Sequence, residues 1–364
     1  MTYAAESREL DGEIRRVIEA WVRHGRALTD AEFDDLALRL FEYQRRYNEP
    51  YARFCASLGF GGSLNPASWR EIPAVPAAAF KEATLTTFDP AKSALAFETS
   101  GTTTGLGGRH YMETRDLYDA ALGAAFDRFM LADGAALRYL NLVPNPSERP
   151  QSSLGYMMQH VSATRGDGQT GWYLRGDELL FEAFVADIGG AIEDAQGVCI
   201  ATTAFALAHA LDTCEARGIT FALPPGSRVM ETGGFKGRAL VVDRETLYAR
   251  ASRTLGIPPA RILAEYGMTE LTSQYYDAAG DAAPRKKLGP PWLRTRVVAI
   301  DGTGVPNGTV GALVHVDLAN RGSCIAIATE DLGALFDDGL VLLGREHGSR
   351  LRGCSLDAED LRSV

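Results

Sequence analysis

Between residues 116 and 265 the sequence alternates short apolar runs with helical stretches, and this alternation limits the possible folds more than any other feature. The apolar runs, each ending in a loop, are residues 137–143, 197–201, 228–231 and 261–265. The helical stretches are residues 116–131, 177–194, 204–216 and 243–255. Because strands that are joined through helices usually pair in parallel, the pattern predicts an α/β fold with a mostly parallel sheet.

The two ends of the chain have a different texture. Apolar residues recur at helical spacing between Leu10 and Val22, and Thr29 with Glu32 has the form of a capping box that opens a second helix. After Pro290, strand-like runs at 293–300, 311–318 and 340–344 are separated by turns, which predicts an antiparallel β subdomain. The predicted division is a helical lead-in at 1–58, an α/β core at 59–290, a β subdomain at 291–345 and a short C-terminal segment at 346–364.

Composition excludes several classes of protein. The 364 residues are 46% hydrophobic, enough for a large core, and the net charge of −10 argues against binding to nucleic acid or acidic membranes. The five cysteines are scattered and form no CxxC pair, which argues against a zinc knuckle or a disulfide framework. The N-terminus lacks the apolar core of a signal peptide, and no run approaches the roughly 18 apolar residues of a membrane span. We therefore expect a reduced, soluble, cytoplasmic protein.

Residues 99–109, TSGTTTGLGGR, consist largely of glycine, serine and threonine and follow a strand-like run at 94–97. Glycine lets backbone N–H groups turn toward one point, and hydroxyl groups add donors to the same anion, so the composition suits phosphate. The segment is not a Walker A loop, because the lysine is missing, and its glycines do not fit the G-x-G-x-x-G fingerprint. Taken alone, this segment (the Gly/Thr loop) is either an ordinary solvated loop or a nucleotide site.

Four further segments follow in a fixed order. They are RVMETGGFKGR at 228–238, EYGMTE at 265–270, ATEDLG at 328–333 and LGREHGSRLRGC at 343–354. Together with TSGTTTG, this series resembles the motifs of the adenylate-forming enzymes, which include acyl-CoA synthetases, firefly luciferase and the adenylation domains of peptide synthetases. Within that superfamily, the TGGFKG segment, the helical N-terminus and the short length resemble the acyl-protein synthetases, the fatty-acid-activating components of the bacterial bioluminescence fatty acid reductase complex.

The resemblance implies roles in binding ATP and Mg²⁺. A carboxylate that attacks the α-phosphate brings two anions together, so charge must be neutralised and the groups must be held in line. Thr269 would contact the α-phosphate, and Glu270 would hold Mg²⁺, a hard cation that seeks oxygen ligands. The residues implied to cradle the β- and γ-phosphates are Thr99, Ser100, Gly101, Thr102, Thr103 and Gly105.

The resemblance also implies an adenosine site. Tyr266 would stack on adenine, with Gly267 beside both nucleotide and acyl group, and Asp331 would accept hydrogen bonds from the ribose hydroxyls. The remaining implied contacts come from Gly233 and Gly234, which allow close approach of the adenine ring, and from Arg345 at the hinge. Each has a plainer reading: Tyr266 as core, Glu270 as an acid in the first turn of a helix, and Asp331 as the start of a turn.

The chain departs from the superfamily pattern at three places. Arg109 stands where a lysine is usual after the loop, and an arginine does not substitute freely for a lysine. Glu330 replaces the glycine of the usual T-G-D motif. The 19 residues after Arg345 are too few for the C-terminal domain that carries a catalytic lysine in acyl-CoA synthetases, so we expect the large N-terminal domain without a full C-terminal one.

Cys354 is the candidate nucleophile. It follows Arg350 and Arg352, whose guanidinium groups would stabilise a thiolate, and it lies where acyl-protein synthetases are thought to be acylated. Its plainer role is as a small packing residue, the role we assign to Cys55, Cys199 and Cys324. His160, which follows a Pro/Ser-rich loop at 144–153, is a candidate to face the acyl substrate or else an ordinary histidine.

The sequence thus predicts an ATP- and Mg²⁺-dependent ligase that forms acyl-adenylate, transfers the acyl group to Cys354 and passes it to a partner protein such as an acyl reductase. Two alternatives stay open. One is a short acyl-CoA or carrier-protein ligase without the cysteine relay. The other is a catalytically idle acyl- or nucleotide-binding subunit.

Overall fold

The structure, a computed structural model, describes residues 2–61, 64–99, 107–233, 243–278, 280 and 284–345. The helices are α1 (Tyr3–His24), α2 (Asp30–Tyr47), α3 (Glu49–Ser57), α4 (Asp116–Phe129), α5 (Ser153–Arg165), α6 (Phe181–Glu193), α7 (Ala204–Ala216) and α8 (Arg244–Leu255). The strands are β1 (Val75–Pro76), β2 (Leu95–Glu98), β3 (Arg109–Met112), β4 (Leu137–Leu142), β5 (Gly166–Trp172), β6 (Leu174–Arg175), β7 (Glu178–Leu179), β8 (Val198–Thr203), β9 (Arg228–Thr232), β10 (Ile262–Tyr266), β11 (Tyr275–Asp277), β12 (Lys287–Leu288), β13 (Leu293–Val298), β14 (Gly311–Asp317), β15 (Ala326–Phe336) and β16 (Gly339–Arg345).

The chain divides into two compact units. The first unit comprises the described parts of 1–125, 268–274 and 286–364, and the second comprises those of 126–267 and 275–285. The boundary therefore passes through EYGMTE, between Gly267 and Met268. The predicted boundaries at 58, 290 and 345 were placed where the helix and strand pattern of the sequence changes, and they stay predictions.

The second unit contains the parallel sheet. Strands β5, β4, β8, β9 and β10 pair in parallel in that order, and β11 adds to β10 in antiparallel orientation. Its core is formed by the apolar strands together with one face each of α6, α7 and α8, including Ile188, Leu211 and Leu255. The predicted α/β class and its parallel sheet are confirmed.

The first unit combines α1–α3 with an antiparallel sheet in the order β13–β14–β15–β16–β12, to which β1 adds in parallel beside β15. The capping box is confirmed: the Glu32 N–H donates to Thr29 Oγ1 and the Thr29 N–H donates to the Glu32 carboxylate. Gln44 of α2 is fully buried and donates to the carbonyls of Asn320 and Arg321, so the helices and this sheet share one core.

One predicted helix starts later in the structure than in the sequence prediction, and two elements were not predicted. The predicted helix at 177–194 begins only at Phe181, because Glu178–Leu179 pairs with Leu174–Arg175 in a small ribbon. Helix α5 and strand β5 were not predicted, because their sequences show no sustained periodicity of apolar residues.

No helix in the described part of the chain is long and apolar enough to cross a membrane.

Candidate active site

The Gly/Thr loop is the loop of a β-hairpin. Strands β2 and β3 pair in antiparallel register with Glu98 opposite Arg109. The Thr99 N–H donates to the Gly108 carbonyl at 2.8 Å, and the Gly108 N–H donates to Thr99 Oγ1 at 2.9 Å. The two ends of the segment are thus tied together, which excludes a linker. The other predicted phosphate-binding residues, Ser100, Gly101, Thr102, Thr103 and Gly105, lie outside the described residues.

Two glycines close the base of this hairpin loop because neighbouring main chain leaves no room for a side chain. A Cβ on Gly107 would lie 2.8 Å from the Thr99 carbonyl oxygen. A Cβ on Gly108 would lie 2.8 Å from the carbonyl carbon of Phe80 and 3.0 Å from the Lys81 nitrogen. The base of the loop is therefore packed directly against the backbone of residues 80–81.

We expect Gly108→Ala to lower the free energy of unfolding by about 1–3 kcal/mol, since the added methyl group meets backbone atoms that cannot rotate away. Chemical denaturation measures this change. Gly189→Ala is the matched control: it lies in α6 with nothing within 4 Å of its Cβ position, and it should gain about 0.5–1 kcal/mol. Equal effects of the two substitutions would contradict the packing argument.

Arg109, the candidate replacement for the usual lysine, lies on β3 beside the loop. It is exposed, and its Nη2 lies 2.7 Å from Glu98 Oε1 on the paired strand. In this arrangement the ion pair with Glu98 holds the Arg109 guanidinium beside the paired strand. Phosphate binding by Arg109 stays a prediction.

Residues 268–274 of the first unit carry Thr269 and Glu270 in an irregular segment. Glu270 is therefore not in the first turn of a helix, so that plainer reading is wrong. His110 Nδ1 lies 2.8 Å from the Thr269 carbonyl oxygen, and Asn320 Nδ2 donates to the Glu270 carbonyl at 2.8 Å. Because a carbonyl oxygen can only accept, the His110 proton is on Nδ1. Two consecutive carbonyls are thus held by two buried side chains.

The His110 imidazole is neutral near pH 7. It is 2% exposed, and burial lowers its pKa to about 4 although the bond to Thr269 acts in the opposite direction. Its ring packs edge-on against Phe80, with centroids 5.7 Å apart. The sequence reading missed His110, because a lone histidine after a loop belongs to no motif.

Buried Asp317 holds Thr272 and Ser273 of the same segment. Its carboxylate accepts from the Thr272 and Ser273 N–H groups at 3.0 and 2.8 Å, from Ser273 Oγ at 2.9 Å and from the Ala319 N–H at 3.0 Å. Trp292 Nε1, also buried, donates to Ser273 Oγ at 2.9 Å. These bonds explain why a charged residue stands at the end of β14.

Asp331 lies within strand β15, opposite Arg345 of β16, so the plainer reading as the start of a turn is wrong. It is 8% exposed, and its N–H donates to Thr329 Oγ1 at 3.1 Å. Arg345 is described only in its main chain. Ribose binding by Asp331 stays a prediction.

His315 on β14 is a second buried histidine. Its Nδ1 lies 3.0 Å from Thr295 Oγ1 on the adjacent strand. Burial lowers its pKa to about 4, and the charge of Asp331 opposes that shift. The ring is neutral at pH 7, so the Asp331 carboxylate has an uncharged neighbour on β14.

Acid is expected to destabilise the protein through His315. As pH falls, the unfolded chain takes up the proton near pH 6.5 and the folded protein only near pH 4. Stability is therefore unaffected above pH 6.5, falls between those values by about 3 kcal/mol at most, and loses nothing further from this group below pH 4. Denaturation at several pH values should show a shallower pH dependence for His315→Asn, and identical slopes would contradict the assignment.

The second unit carries the remaining candidates. Gly233 follows β9 with φ of +72°, a conformation that favours glycine, and Gly234 lies outside the described residues. Tyr266 ends β10, is half-buried rather than core, and its ring lies 5.8 Å from that of Tyr275; Gly267 follows it. Their contact with a nucleotide stays a prediction.

His160 lies on α5 in the second unit, and not in a loop. Its ring stacks on that of Tyr156, one helical turn earlier, with centroids 6.4 Å apart. It is half-buried. Its predicted contact with the acyl substrate stays a prediction.

The described cysteines are unsuited to act as nucleophiles. Cys55 and Cys199 are fully buried, and burial raises the pKa of each thiol to about 12. Burial also raises the pKa of Cys214 and Cys324. Cys354 lies outside the described residues.

The donor chemistry fits Mg²⁺ bound together with phosphates. Among the described residues, no three His, Cys, Asp or Glu side chains are grouped as a metal site. Mg²⁺ does not require such a cage, since it commonly takes one or two carboxylates and completes its shell with phosphates and water. Glu270, on a segment tied to the base of the Gly/Thr loop through His110, could supply one such carboxylate, and that role stays a prediction.

Comparison with solved structures identifies the class of fold. A complex of McyG A-PCP with phenylalanyl-adenylate matches 71% of this chain and 48% of its own length, with 18% identity and a TM-score of 0.52. ATP-bound MatB from Rhodopseudomonas palustris matches 71% of this chain and 49% of its own, with 16% identity and a TM-score of 0.51. An open 2-hydroxyisobutyryl-CoA ligase with 2-HIB-AMP and CoA matches 89% and 71%, with 14% identity and a TM-score of 0.64. The chain shares the fold of these three proteins and spans about half the length of the first two.

Sequence comparison indicates which family of proteins with this fold the chain resembles. Residues 178–358 match the family described as acyl-protein synthetase, LuxE. A relative from Vibrio harveyi named long-chain-fatty-acid–luciferin-component ligase is 22% identical over 308 residues, which cover 82% of this chain and 78% of the relative. The resemblance to acyl-protein synthetases is confirmed, and the enzyme class that these matches support is an AMP-forming acid–thiol ligase.

Proposed function

We propose that this protein activates a carboxylic acid, of the fatty acid class, with ATP. The substrate carboxylate oxygen attacks the α-phosphorus, the bond from that phosphorus to the bridging oxygen breaks, and acyl-adenylate and pyrophosphate form. The observation that carries the proposal is the bond from His110 to the Thr269 carbonyl, which ties the base of the Gly/Thr loop to the segment with Glu270. The family match, which contains the TGGFKG, EYGMTE and TEDLG segments, supports it.

Each group of residues would bind a different part of the substrates. The Gly/Thr loop and Arg109 would bind the β- and γ-phosphates, Thr269 the α-phosphate, and Asp331 with Arg345 the ribose. Glu270 would hold Mg²⁺, which when bound neutralises phosphate charge during transfer. Tyr266, Gly267 and the glycines at 233–234 would bind the adenine, and His160 would face the acyl substrate.

In the second step, the Cys354 thiolate would attack the acyl carbonyl, the C–O bond to AMP would break, and an acyl-thioester would form. Residue 354 falls inside the range matched to acyl-protein synthetases, and two arginines close by in sequence favour a thiolate. The acyl group would then pass to a partner protein. The relative's name, which combines a fatty acid with a luciferin component, supports an acyl reductase as that partner. We place the reaction in the cytoplasm, where ATP is supplied and thiols stay reduced.

The deciding experiment is exchange of labelled pyrophosphate into ATP across a panel of fatty, aryl and short-chain acids. We expect exchange that depends on both acid and Mg²⁺, strongest with fatty acids. Absence of exchange across the whole panel would contradict the proposal and support the idle-subunit alternative.

A second measurement tests the relay. With labelled acid and ATP, the wild-type protein should become labelled and Cys354→Ser should not, while pyrophosphate exchange continues in both. Cys214→Ser is the matched control and should label normally, because that thiol is buried. Undiminished labelling of Cys354→Ser would favour the short acyl-CoA or carrier-protein ligase.

A further inference from the structure

We propose that His110 and Asn320 are positioning residues: His110 ties the Thr269 carbonyl to the base of the Gly/Thr loop and Asn320 holds the Glu270 carbonyl, so that the carboxylate proposed to hold magnesium keeps one position relative to that base before ATP binds. The inference rests on the proposed function, because it assigns these residues to the adenylation step. His110 and Asn320 belong to none of the superfamily motifs that the sequence displays.

His110 joins the segment to the hairpin. It lies on β3, and its Nδ1 donates to the Thr269 carbonyl. Its ring packs on Phe80, the same residue whose main chain is in contact distance of Gly108. A displacement of the hairpin base would therefore move the Thr269 carbonyl with it.

Asn320 holds the next carbonyl along the chain, that of Glu270. It is 1% exposed, and its Oδ1 accepts from the Thr272 N–H at 2.7 Å and from Thr272 Oγ1 at 2.5 Å. Its Nδ2 donates to the carbonyls of Glu270 at 2.8 Å and Cys324 at 3.0 Å. All four hydrogen-bonding positions of the amide are used, so its orientation is fixed.

The hydrogen bonds from His110 and Asn320 also determine the orientation of Glu270. The segment lacks the repeating main-chain bonds of a helix or strand, so these two side chains orient the two peptides that flank Glu270. The direction of the Glu270 side chain follows from those two peptides. A displacement of about 1 Å at a catalytic group can reduce a rate about 100-fold, so loss of either anchor should impair the use of MgATP specifically.

Paired substitutions separate the hydrogen bond from packing. In His110→Asn the amide nitrogen takes the position of Nδ1 and keeps the donor, whereas His110→Leu fills the space without one. We expect pyrophosphate exchange by His110→Asn within about threefold of wild type. For His110→Leu we expect a loss of about 10- to 100-fold, seen as a raised KM for MgATP and a lowered kcat, with the KM for the acid unchanged. Asn320→Leu should behave like His110→Leu.

Ile14→Ala serves as the stability control, since Ile14 is fully buried in α1 of the same unit. It should lower the melting temperature without changing the KM for MgATP. The inference fails if His110→Leu keeps the wild-type KM for MgATP, if His110→Asn is as impaired as His110→Leu, or if Ile14→Ala reproduces the kinetic change. A wild-type protein that shows no exchange would instead remove the proposed function, and this inference with it.

Discussion

Replacing Arg321 with leucine is expected to lower the free energy of unfolding by about 3–5 kcal/mol, because it breaks a buried ion-pair network and leaves carboxylates without a cation. Arg321 has a side chain only 3% exposed. It bonds both carboxylate oxygens of Asp11 at 2.7 and 3.1 Å, and its Nη1 donates to Glu113 Oε2 at 2.7 Å. Tyr3 Oη also donates to Glu113, at 2.9 Å.

The network connects three parts of the first unit that are distant in sequence. Asp11 lies on α1, Glu113 directly follows β3, and Arg321 lies in the turn after β14. Without the guanidinium, the two carboxylates would lie near each other in a part-buried site with reduced access to water. We therefore expect unfolding at markedly lower denaturant concentration, with the midpoint measured by circular dichroism.

Two further variants complete this test. Arg53→Leu, which removes an exposed i,i+4 pair with Glu49, should change stability by no more than about 0.5 kcal/mol. Adding Asp11→Asn and Glu113→Gln to Arg321→Leu should recover part of the loss, since the uncompensated charges are removed. A loss for Arg321→Leu as small as that for Arg53→Leu would show that the network contributes little.

The regular elements were predictable from the sequence because their signals are local. Helix α7 was predicted at 204–216 and spans Ala204–Ala216; β9 and β10 match their predictions within one residue at each end. Both strands are short buried runs flanked by loops, with apolar residues such as Val229, Met230, Ile262 and Leu263 at their centres or starts. The α/β class followed from that alternation alone.

The anchors of the candidate site could not be predicted, because they depend on contacts between distant residues. His110 meets the carbonyl of Thr269, 159 positions away, and Asn320 meets that of Glu270, 50 positions away. The partner in each case is a main-chain carbonyl, which any residue type provides, so no sequence pattern identifies it. The motif residues themselves were found through a resemblance, and their contacts with ATP stay predictions.

Replacing Glu270 with glutamine is expected to reduce acid-dependent pyrophosphate exchange about 100-fold, since one fixed charge that stabilises the transition state is removed. The two side chains have nearly the same shape, and Asn320 bonds the main-chain carbonyl at this position, so the anchor is kept. Because Glu270 is only 7% exposed and the two side chains fill nearly the same volume, stability should change far less than the exchange rate. The reduction should therefore come from the reaction step and not from unfolding.

The dependence on Mg²⁺ distinguishes a metal ligand from a group that acts in another way. If Glu270 binds the ion, Glu270→Gln should need a higher Mg²⁺ concentration for half-maximal exchange, and Mn²⁺, which generally binds more tightly, should restore part of the rate. Glu19→Gln, an exposed carboxylate on α1, should leave both quantities at wild-type values. An unchanged Mg²⁺ requirement in Glu270→Gln would exclude metal binding by Glu270, because removal of a ligand to a substrate-bound cation must weaken its retention.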